Sequence, residues 1–238
     1  MIRIINKILD IIIKIILVFI SIISIYAIYD YYKLYDDSKL GSEITKYIDD
    51  EKVDIKKMKN EINEDICGWL RIDNTGINYP LLHSLDNFDY LNKNYKKEYS
   101  LSGSLFLDSN NDKYFNDDYS IIYGHNVKDS IMFSDIMNYE NINYLNKHNK
   151  GKLILEDKEY DVFIYSYNVL EAKEKTVYDL LNYKNNHNDF ILELLNKYLV
   201  NKSDISINKS DKLLVLSTCN DIVRGRRSVL LCKLVETN

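Results

Sequence analysis

Proline, glycine and cysteine are all scarce in this chain of 238 residues, which has one proline, seven glycines and three cysteines. So few prolines and glycines exclude a collagen-like chain and a proline-rich linker. The cysteines, Cys67, Cys219 and Cys232, lie too far apart for a disulfide framework or a zinc motif, and the histidines show no metal-ligand spacing. We therefore expect neither a bound metal nor a cofactor.

The chain also lacks an excess of positive charge. It has 31 Lys and Arg against 36 Asp and Glu, a net charge of −5, which excludes the basic surface typical of nucleic-acid binding. With 46% hydrophobic and 28% charged residues, the chain is expected to fold. Its length allows one domain of about 150–200 residues plus an appendage.

The longest hydrophobic run lies near the amino terminus. Residues 8–28 read ILDIIIKIILVFISIISIYAI and contain only Asp10 and Lys14 as charged residues. A membrane span needs about 20 mostly apolar residues, and a lysine near its end can reach the interface. A buried helix of a soluble core is disfavoured because no polar stripe follows the helical period. A cleaved signal peptide is the stronger alternative, but the run is long for one and no small-residue cleavage site follows it.

The charges around this run predict its orientation. The bases that precede or begin it are Arg3, Lys7 and Lys14, and the acids that follow it are Asp30, Asp36 and Asp37. Because Lys and Arg stay on the cytoplasmic side, we expect a single-pass cell-membrane protein with a cytoplasmic amino terminus and an extracellular domain. We divide the chain into a cytoplasmic tip and anchor (1–29), a helical stalk with N-terminal helices (30–61) and the domain itself (62–238).

Eight short β-rich runs separated by turn residues follow the stalk. The candidate strands are Gly68–Ile72, Gly76–Leu82, Gly103–Leu107, Ser120–Tyr123, Lys152–Glu156, Tyr160–Val169, Lys212–Thr218 and Arg227–Val235. Eight strands of this length predict a mostly β fold, a closed or nearly closed barrel without exposed edges.

Two stretches break the strand pattern. Residues 131–146 are typical of short helices. In residues 188–199 (NDFILELLNKYL), apolar side chains recur with a 3.6-residue period. We expect the second stretch to be a helix inserted between the sixth and seventh strands.

Three polar or reactive residues lie at the ends of candidate strands. Cys219 ends the run KLLVLSTCN, His125 ends SIIYGHN, and Arg227 opens the last strand. By residue type alone, a buried cysteine, a structural histidine and a solvated arginine are the commoner interpretations. If the final two strands pair antiparallel, however, Arg227 returns beside Cys219. Arg224 and Arg226 lie in the same loop and are alternatives to Arg227.

The segments around these residues resemble the sortases, the membrane-anchored cysteine transpeptidases of Gram-positive bacteria. The three that carry the resemblance are YGHN (Tyr123–Asn126), LSTC (Leu216–Cys219) and RRSVL (Arg226–Leu230). Further similar segments are GWLRIDNTGINYPLL (Gly68–Leu82), DNFDYLNKNY (Asp86–Tyr95) and SGSLFLD (Ser102–Asp108). The helical insert before the cysteine strand resembles class B members in particular.

The resemblance implies an eight-stranded sortase-type β-barrel and a set of site residues. Cys219 matches the nucleophile, His125 the catalytic histidine and Arg227 the catalytic arginine. We prefer Arg227 to its neighbours because it directly precedes the final apolar run and shares a strand face with Lys233. The residues that match the substrate groove of class B members are Asn87, Leu91, Tyr123, Ser217 and Thr218.

The implied activity is transpeptidation without a cofactor. The cysteine thiolate of a sortase cleaves a sorting motif of secreted surface proteins after threonine, forms a thioacyl-enzyme and transfers the protein to an amine of peptidoglycan. Three alternatives remain open: a pilus-polymerising sortase, a hydrolytic cysteine peptidase, and a membrane-tethered surface binding module without activity. The pilus role is disfavoured because the lid motif of such enzymes contains Asp-Pro, and the one proline here is Pro80.

Overall fold

The computed structural model describes most of the chain. The described residues are 2–38, 40–49, 52–127, 130–171, 174, 176–180, 187–208, 210–220 and 225–237. The α-helices among them are α1 (Ile2–Ser38), α2 (Ile55–Glu61), α3 (Ile142–Lys147) and α4 (His187–Lys197). Short 3-10 helices cover Ser42–Tyr47, Asp89–Leu91, Ser134–Glu140 and Thr176–Tyr178.

Eight of the described strands build the barrel, and five others lie around it. In chain order they are β1 (Ile48–Asp49), β2 (Lys52–Val53), β3 (Ile66–Ile72), β4 (Asn78–Leu82), β5 (Leu105–Leu107), β6 (Tyr119–Tyr123), β7 (Asn126–Val127), β8 (Ile131–Met132), β9 (Lys150–Ile154), β10 (Glu159–Glu171), β11 (Leu199–Lys202), β12 (Lys212–Asn220) and β13 (Arg226–Thr237).

Eight of these strands form a closed barrel. Their order is β10, β13, β12, β6, β5, β4, β3 and β9, and β9 pairs back onto β10. The neighbours β12–β6 and β4–β5 are parallel, while the other barrel pairs are antiparallel. Each of the eight strands predicted from the sequence overlaps one barrel strand, so the predicted eight-stranded barrel is confirmed.

Alternation along the strands builds two hydrophobic layers from one sheet. In β12, Leu214 and Leu216 point into the barrel and are fully buried there. Leu213 and Val215 point outward, yet they are equally buried, because the segment between β10 and β12 covers this face with Ile191 of α4. The insertion therefore gives the outer face of the barrel a second core.

The inserted helix differs from its predicted bounds at one end. Ile191 and Leu195 are buried as the helical period predicts. The helix ends at Lys197, however, and Leu199 begins β11, where it pairs with Asn168 of β10 and is 39% exposed. Strand pairing with β10 thus replaces the last half-turn of the helix.

The N-terminal helices pack where the sequence places them. Asp54 caps α2 by accepting a hydrogen bond from the Lys57 main-chain N–H at 2.9 Å. Ile55 and Met58 of α2 are buried in a third cluster, which includes Trp69 of β3. These contacts fix α2 on the outside of the barrel.

Helix α1 is apolar over residues 2–33, long enough to cross a membrane. It continues to Ser38, beyond the predicted end of the anchor at residue 29, because residues 30–38 also favour a helix. The chain is thus a β-barrel preceded by one helix that could span a membrane. The division of the chain at residues 29 and 61 stays a prediction.

Candidate active site

The pairing of β12 with β6 and β13 brings the three predicted catalytic positions to one end of the barrel, with His125 two residues beyond the end of β6. In the parallel pair, Ser217 of β12 lies opposite Tyr123 of β6, and the Gly124 N–H donates to the Ser217 carbonyl at 3.2 Å. His125 follows Tyr123, the last paired residue of β6, by two residues, and Cys219 follows Ser217 by two residues in β12. In the antiparallel pair, Cys219 lies directly opposite Arg227. The Cys219 side chain and Arg224 fall outside the described part of the structure.

Arg227 lies on the face of β13 that points away from the barrel interior. It shares this face with Val229 and Leu231, which belong to the outer core, and with Lys233. Arg227 is half-buried and lies opposite Leu170 of β10. Because directly opposite residues of an antiparallel pair belong to the same face of a sheet, positions 219 and 227 share one face.

The neighbouring arginine is placed differently. Arg226 is exposed, and its Nε forms an ion pair with Glu171 Oε1 at 3.2 Å. Alternation along β13 gives Arg226 the opposite face from Arg227. The two arginines therefore offer a natural comparison within one strand.

His125 is half-buried and held by main-chain groups on two sides. Its Nε2 donates to the Leu91 carbonyl at 2.8 Å, and its own carbonyl accepts from the Phe133 N–H at 3.0 Å. Gly103, with a φ of +58°, lies against the Leu91 carbonyl and the His125 ring: a Cβ there would come within 2.6 Å of the Leu91 oxygen and 3.0 Å of His125 Cδ2. Only glycine fits this position without displacing the ring or the carbonyl.

A buried carboxylate joins two of the predicted groove residues. Asp108 is 2% exposed, and its Oδ2 accepts hydrogen bonds from the Tyr123 hydroxyl at 2.8 Å and from Asn87 Nδ2 at 2.9 Å. Asn87 is also fixed by the Ser109 N–H, which donates to Asn87 Oδ1 at 2.8 Å. Burial and the adjacent Asp108 carboxylate raise the pKa of Tyr123, so its phenol stays a neutral donor.

Sequence reasoning missed Asp108 and Tyr178. A carboxylate that directly follows the apolar strand of the SGSLFLD segment was a usable signal for Asp108. No sequence pattern singled out Tyr178, since it is one of 21 tyrosines and lies in the insertion. Its hydroxyl hydrogen-bonds with Ser217 Oγ at 3.0 Å, and its ring lies 6.1 Å from that of Tyr123.

The structure brings four of the five predicted groove residues to the Cys219–His125–Arg227 end of the barrel. Leu91 contacts His125, Asn87 and Tyr123 share Asp108, and Ser217 precedes Cys219 by two residues on the same face of β12. Thr218 alternates to the barrel interior, where it is 1% exposed and its Oγ1 has no hydrogen-bond partner among the described residues. Only the main chain of Thr218 can face the same side as Cys219.

The other two cysteines are placed as structural residues. Cys67 Sγ lies 3.5 Å from the Leu81 carbonyl, and burial raises the pKa of its thiol to about 12. Cys232 is fully buried inside the barrel, and burial raises its pKa as well. Cys67 and His83 border a cavity of about 810 Å³, to which none of the predicted site residues contributes. Within the described residues, no cluster of His, Cys, Asp and Glu could hold a metal ion.

A thiol, an imidazole and a guanidinium at the ends of neighbouring strands are the groups required for acyl transfer through a cysteine thioester. The fold and these positions define a barrel-type cysteine acyltransferase. The chain belongs to the sortase family, since the family model described as Sortase domain matches residues 70–235. Sortases are cysteine transpeptidases, and the relatives below place the chain among class B sortases.

Sortase B of Listeria monocytogenes is 35% identical to this chain over 182 residues, which cover 74% of the chain and 71% of the relative. The Staphylococcus aureus sortase B–substrate complex superposes with a TM-score of 0.71 at 26% identity and covers 90% of this chain and 99% of its own. A Streptococcus pyogenes class B sortase involved in pilus biogenesis has a TM-score of 0.69 at 26% identity, covering 76% and 97%. The predicted family and class are thereby confirmed.

The cysteines should differ sharply in their reaction with iodoacetamide at neutral pH. Iodoacetamide reacts with the thiolate form of cysteine. A pKa of about 12 lowers the thiolate fraction of Cys67 about a thousandfold relative to an ordinary cysteine. This fraction rises only as the pH approaches 12. We expect mass spectrometry of the folded chain to find Cys219 alkylated well before Cys67 and Cys232, and all three alkylated in urea. Equal labelling of Cys67 and Cys219 in the folded chain would contradict this assignment.

Replacing Asp108 should cost more stability than replacing a nearby loop aspartate. Asp108→Ala leaves the Tyr123 hydroxyl and Asn87 Nδ2 without their buried acceptor. We expect this to lower the free energy of unfolding by about 3 kcal/mol. Asp112, in the same loop, accepts from the Tyr114 N–H at 3.0 Å but is more exposed, so Asp112→Ala should cost about 1 kcal/mol or less. Thermal unfolding of both variants in detergent measures the difference, and equal losses would argue against the Asp108 network.

Proposed function

We propose that this sortase cleaves a sorting motif after threonine and transfers the resulting acyl group to an amine of peptidoglycan, with Cys219, His125 and Arg227 as its catalytic residues. The single observation that supports the proposal is the register of β12, in which Cys219 lies opposite Arg227 on one side and Ser217 lies opposite Tyr123, two residues before His125, on the other. His125 lies 94 residues before Cys219 and Arg227 lies 8 residues after it, so the proposed site combines parts of the chain that are distant in sequence.

Cys219 is the nucleophile in this proposal. Its thiolate attacks the threonine carbonyl carbon, and the collapse of the tetrahedral intermediate releases the amine and leaves a thioester. Cationic side chains nearby favour the thiolate over the thiol. The raised pKa values of Cys67 and Cys232 support Cys219 as the reactive thiol.

Arg227 stabilises the negative charge that develops on the threonine carbonyl oxygen. A guanidinium donates several N–H groups in a fixed plane, which suits it to bind an oxyanion. The position opposite Cys219 in β13 supports this role, because a donor there reaches the same outer face as the attacked carbonyl. Arg226, paired with Glu171, lacks that position.

His125 donates the proton that the departing amine requires and takes one back from the amine that resolves the thioester. General acid–base catalysis of this kind contributes about 10²–10⁴ in rate. The half-buried ring and its anchoring through Leu91 support a fixed orientation for these transfers.

The sorting peptide binds at the end of β6 and β12 where Tyr123 and Ser217 lie opposite each other. Asn87, Leu91, Tyr123 and Ser217 line it with their side chains, and Thr218 contributes main-chain groups. That the related Staphylococcus aureus enzyme forms a sortase B–substrate complex supports a peptide groove here. Helix α1 anchors the enzyme in the cell membrane with its amino terminus in the cytoplasm, so that the barrel meets secreted proteins outside.

Polymerisation of pilus subunits is the second candidate. The similarity to the Streptococcus pyogenes class B sortase involved in pilus biogenesis favours it. The two candidates differ in the acceptor amine, which belongs to peptidoglycan in the first and to a lysine of another protein subunit in the second. Supplying both amines to the same acyl-enzyme and comparing the products by mass spectrometry distinguishes them.

Cys219→Ala should abolish cleavage. We expect the full chain in detergent to cut at least one threonine-containing peptide of a quenched-fluorescent sorting panel, and to form an aminolysis product when an amine is added. The Cys219→Ala variant should show only the background rate because no thioester can form. Cleavage by this variant at the parental rate would refute the nucleophile, and products of water alone would indicate a peptidase.

The two adjacent arginines should respond in opposite ways. Arg227→Ala removes the oxyanion donor and should lower kcat by about 10²–10³-fold. Arg226→Ala removes an exposed ion pair with Glu171, which contributes little, so its kcat should stay close to the parental value. Steady-state cleavage of one peptide by both variants is the measurement, and equal retention of activity would exclude Arg227.

A further inference from the structure

The hydrogen bond at His125 Nε2 determines more than the orientation of the ring. Its acceptor is a main-chain carbonyl, which has no proton to give, so the Nε2–H must be the donor. The neutral imidazole carries one N–H, and the nitrogen without it is a base. The contact with Leu91 therefore selects one of the two neutral forms of the ring.

The Leu91 carbonyl is itself held firmly. It belongs to the short helix Asp89–Leu91. Tyr90 of this helix is fully buried, and its hydroxyl donates to Asp65 Oδ2 at 2.7 Å. The Ser104 N–H donates to the Tyr90 carbonyl at 3.1 Å, and Gly103 fills the space between this turn and the His125 ring. The acceptor is thus part of a packed unit rather than of a free loop.

The second ring nitrogen has a different environment. Among the described residues, His125 Nδ1 has no hydrogen-bond partner, and His125 lies two residues beyond Tyr123, which pairs with Ser217 of the strand that carries Cys219. We propose that the Leu91 carbonyl fixes His125 with a proton on Nε2, so that Nδ1 is the nitrogen that gives and takes the catalytic proton. This inference rests on the proposed catalytic role of His125 and makes Leu91 and Gly103 positioning residues.

The proton balance follows from this assignment. In the imidazolium, the Nδ1 proton passes to the departing amine as its C–N bond breaks, and the neutral ring keeps Nε2–H on Leu91. When the acceptor amine attacks the thioester, the new C–N bond forms, the C–S bond breaks, and the amine proton returns to Nδ1. Nε2–H stays bonded to the same carbonyl in both half-reactions, so the ring need not turn between them.

Nitrogen-15 NMR of the full chain labelled at histidine tests the assignment without turnover. The chain has four histidines, and each signal is assigned by a His→Gln variant. For neutral His125 we expect a protonated Nε2 and an unprotonated Nδ1. His148 is an internal control of the opposite kind, because its Nδ1 lies 2.8 Å from the Tyr144 carbonyl and should carry the proton. A protonated Nδ1 in neutral His125, or an equal mixture, overturns the proposal.

Gly103→Ala tests the source of the preference. The added Cβ pushes the Leu91 carbonyl away from the ring, so the Nε2–H form should lose its dominance and kcat should fall about 10–100-fold. Gly225→Ala is the matched control: its φ of +81° imposes similar backbone strain, but no atom of the described residues lies within 4 Å of the new Cβ. It should leave the His125 signals unchanged.

The outcomes separate this inference from the proposed function. If Gly103→Ala keeps the Nε2–H form and the parental kcat, the Leu91 carbonyl is not what fixes the ring. If Gly103→Ala does not fold, the parental spectrum still decides which nitrogen carries the proton. If His125→Ala cleaves peptide at the parental rate, the catalytic role fails, whatever the spectrum of the parent shows.

Discussion

The pairing of β12 with its two neighbours is the constraint on which the site depends. β12 runs parallel to β6, which ends two residues before His125, and antiparallel to β13, which carries Arg227. Because side chains alternate along a strand, a slip of one residue in the β12–β13 pairing would place positions 219 and 227 on opposite faces of the sheet. The barrel prevents such a slip, since the alternate residues of β12 and β13 fill the interior and the outer core at the same time.

The outer core links the insertion to the site. In an ordinary barrel the outer face of β12 would be solvated, but here α4 and the segment before it bury Val215 and Val229. The same segment places Tyr178 against Ser217 and near Tyr123. The insertion that stabilises the outer face therefore also forms one side of the region next to Cys219.

A second set of constraints comes from the chain between β4 and β5. This stretch has little regular structure, yet it carries Asn87, bound to Asp108, and Leu91, bound to His125. Buried polar groups of this kind are costly unless every partner is present, which makes the arrangement specific as well as stable. The loop is thus a structured component of the site rather than a connection between strands.

The sequence by itself determined the barrel strands, the short helices and the apolar anchor-length segment, because each depends on a local period that neighbouring residues display. Motif resemblance also supplied the family and the positions of Cys219, His125 and Arg227. Only the tertiary structure decided that Thr218 faces the barrel interior, that Leu199 leaves the helix for β11, and that Asp108 and Tyr178 adjoin the groove residues. These features depend on contacts between residues distant in the chain, for which a single sequence carries no periodic signal.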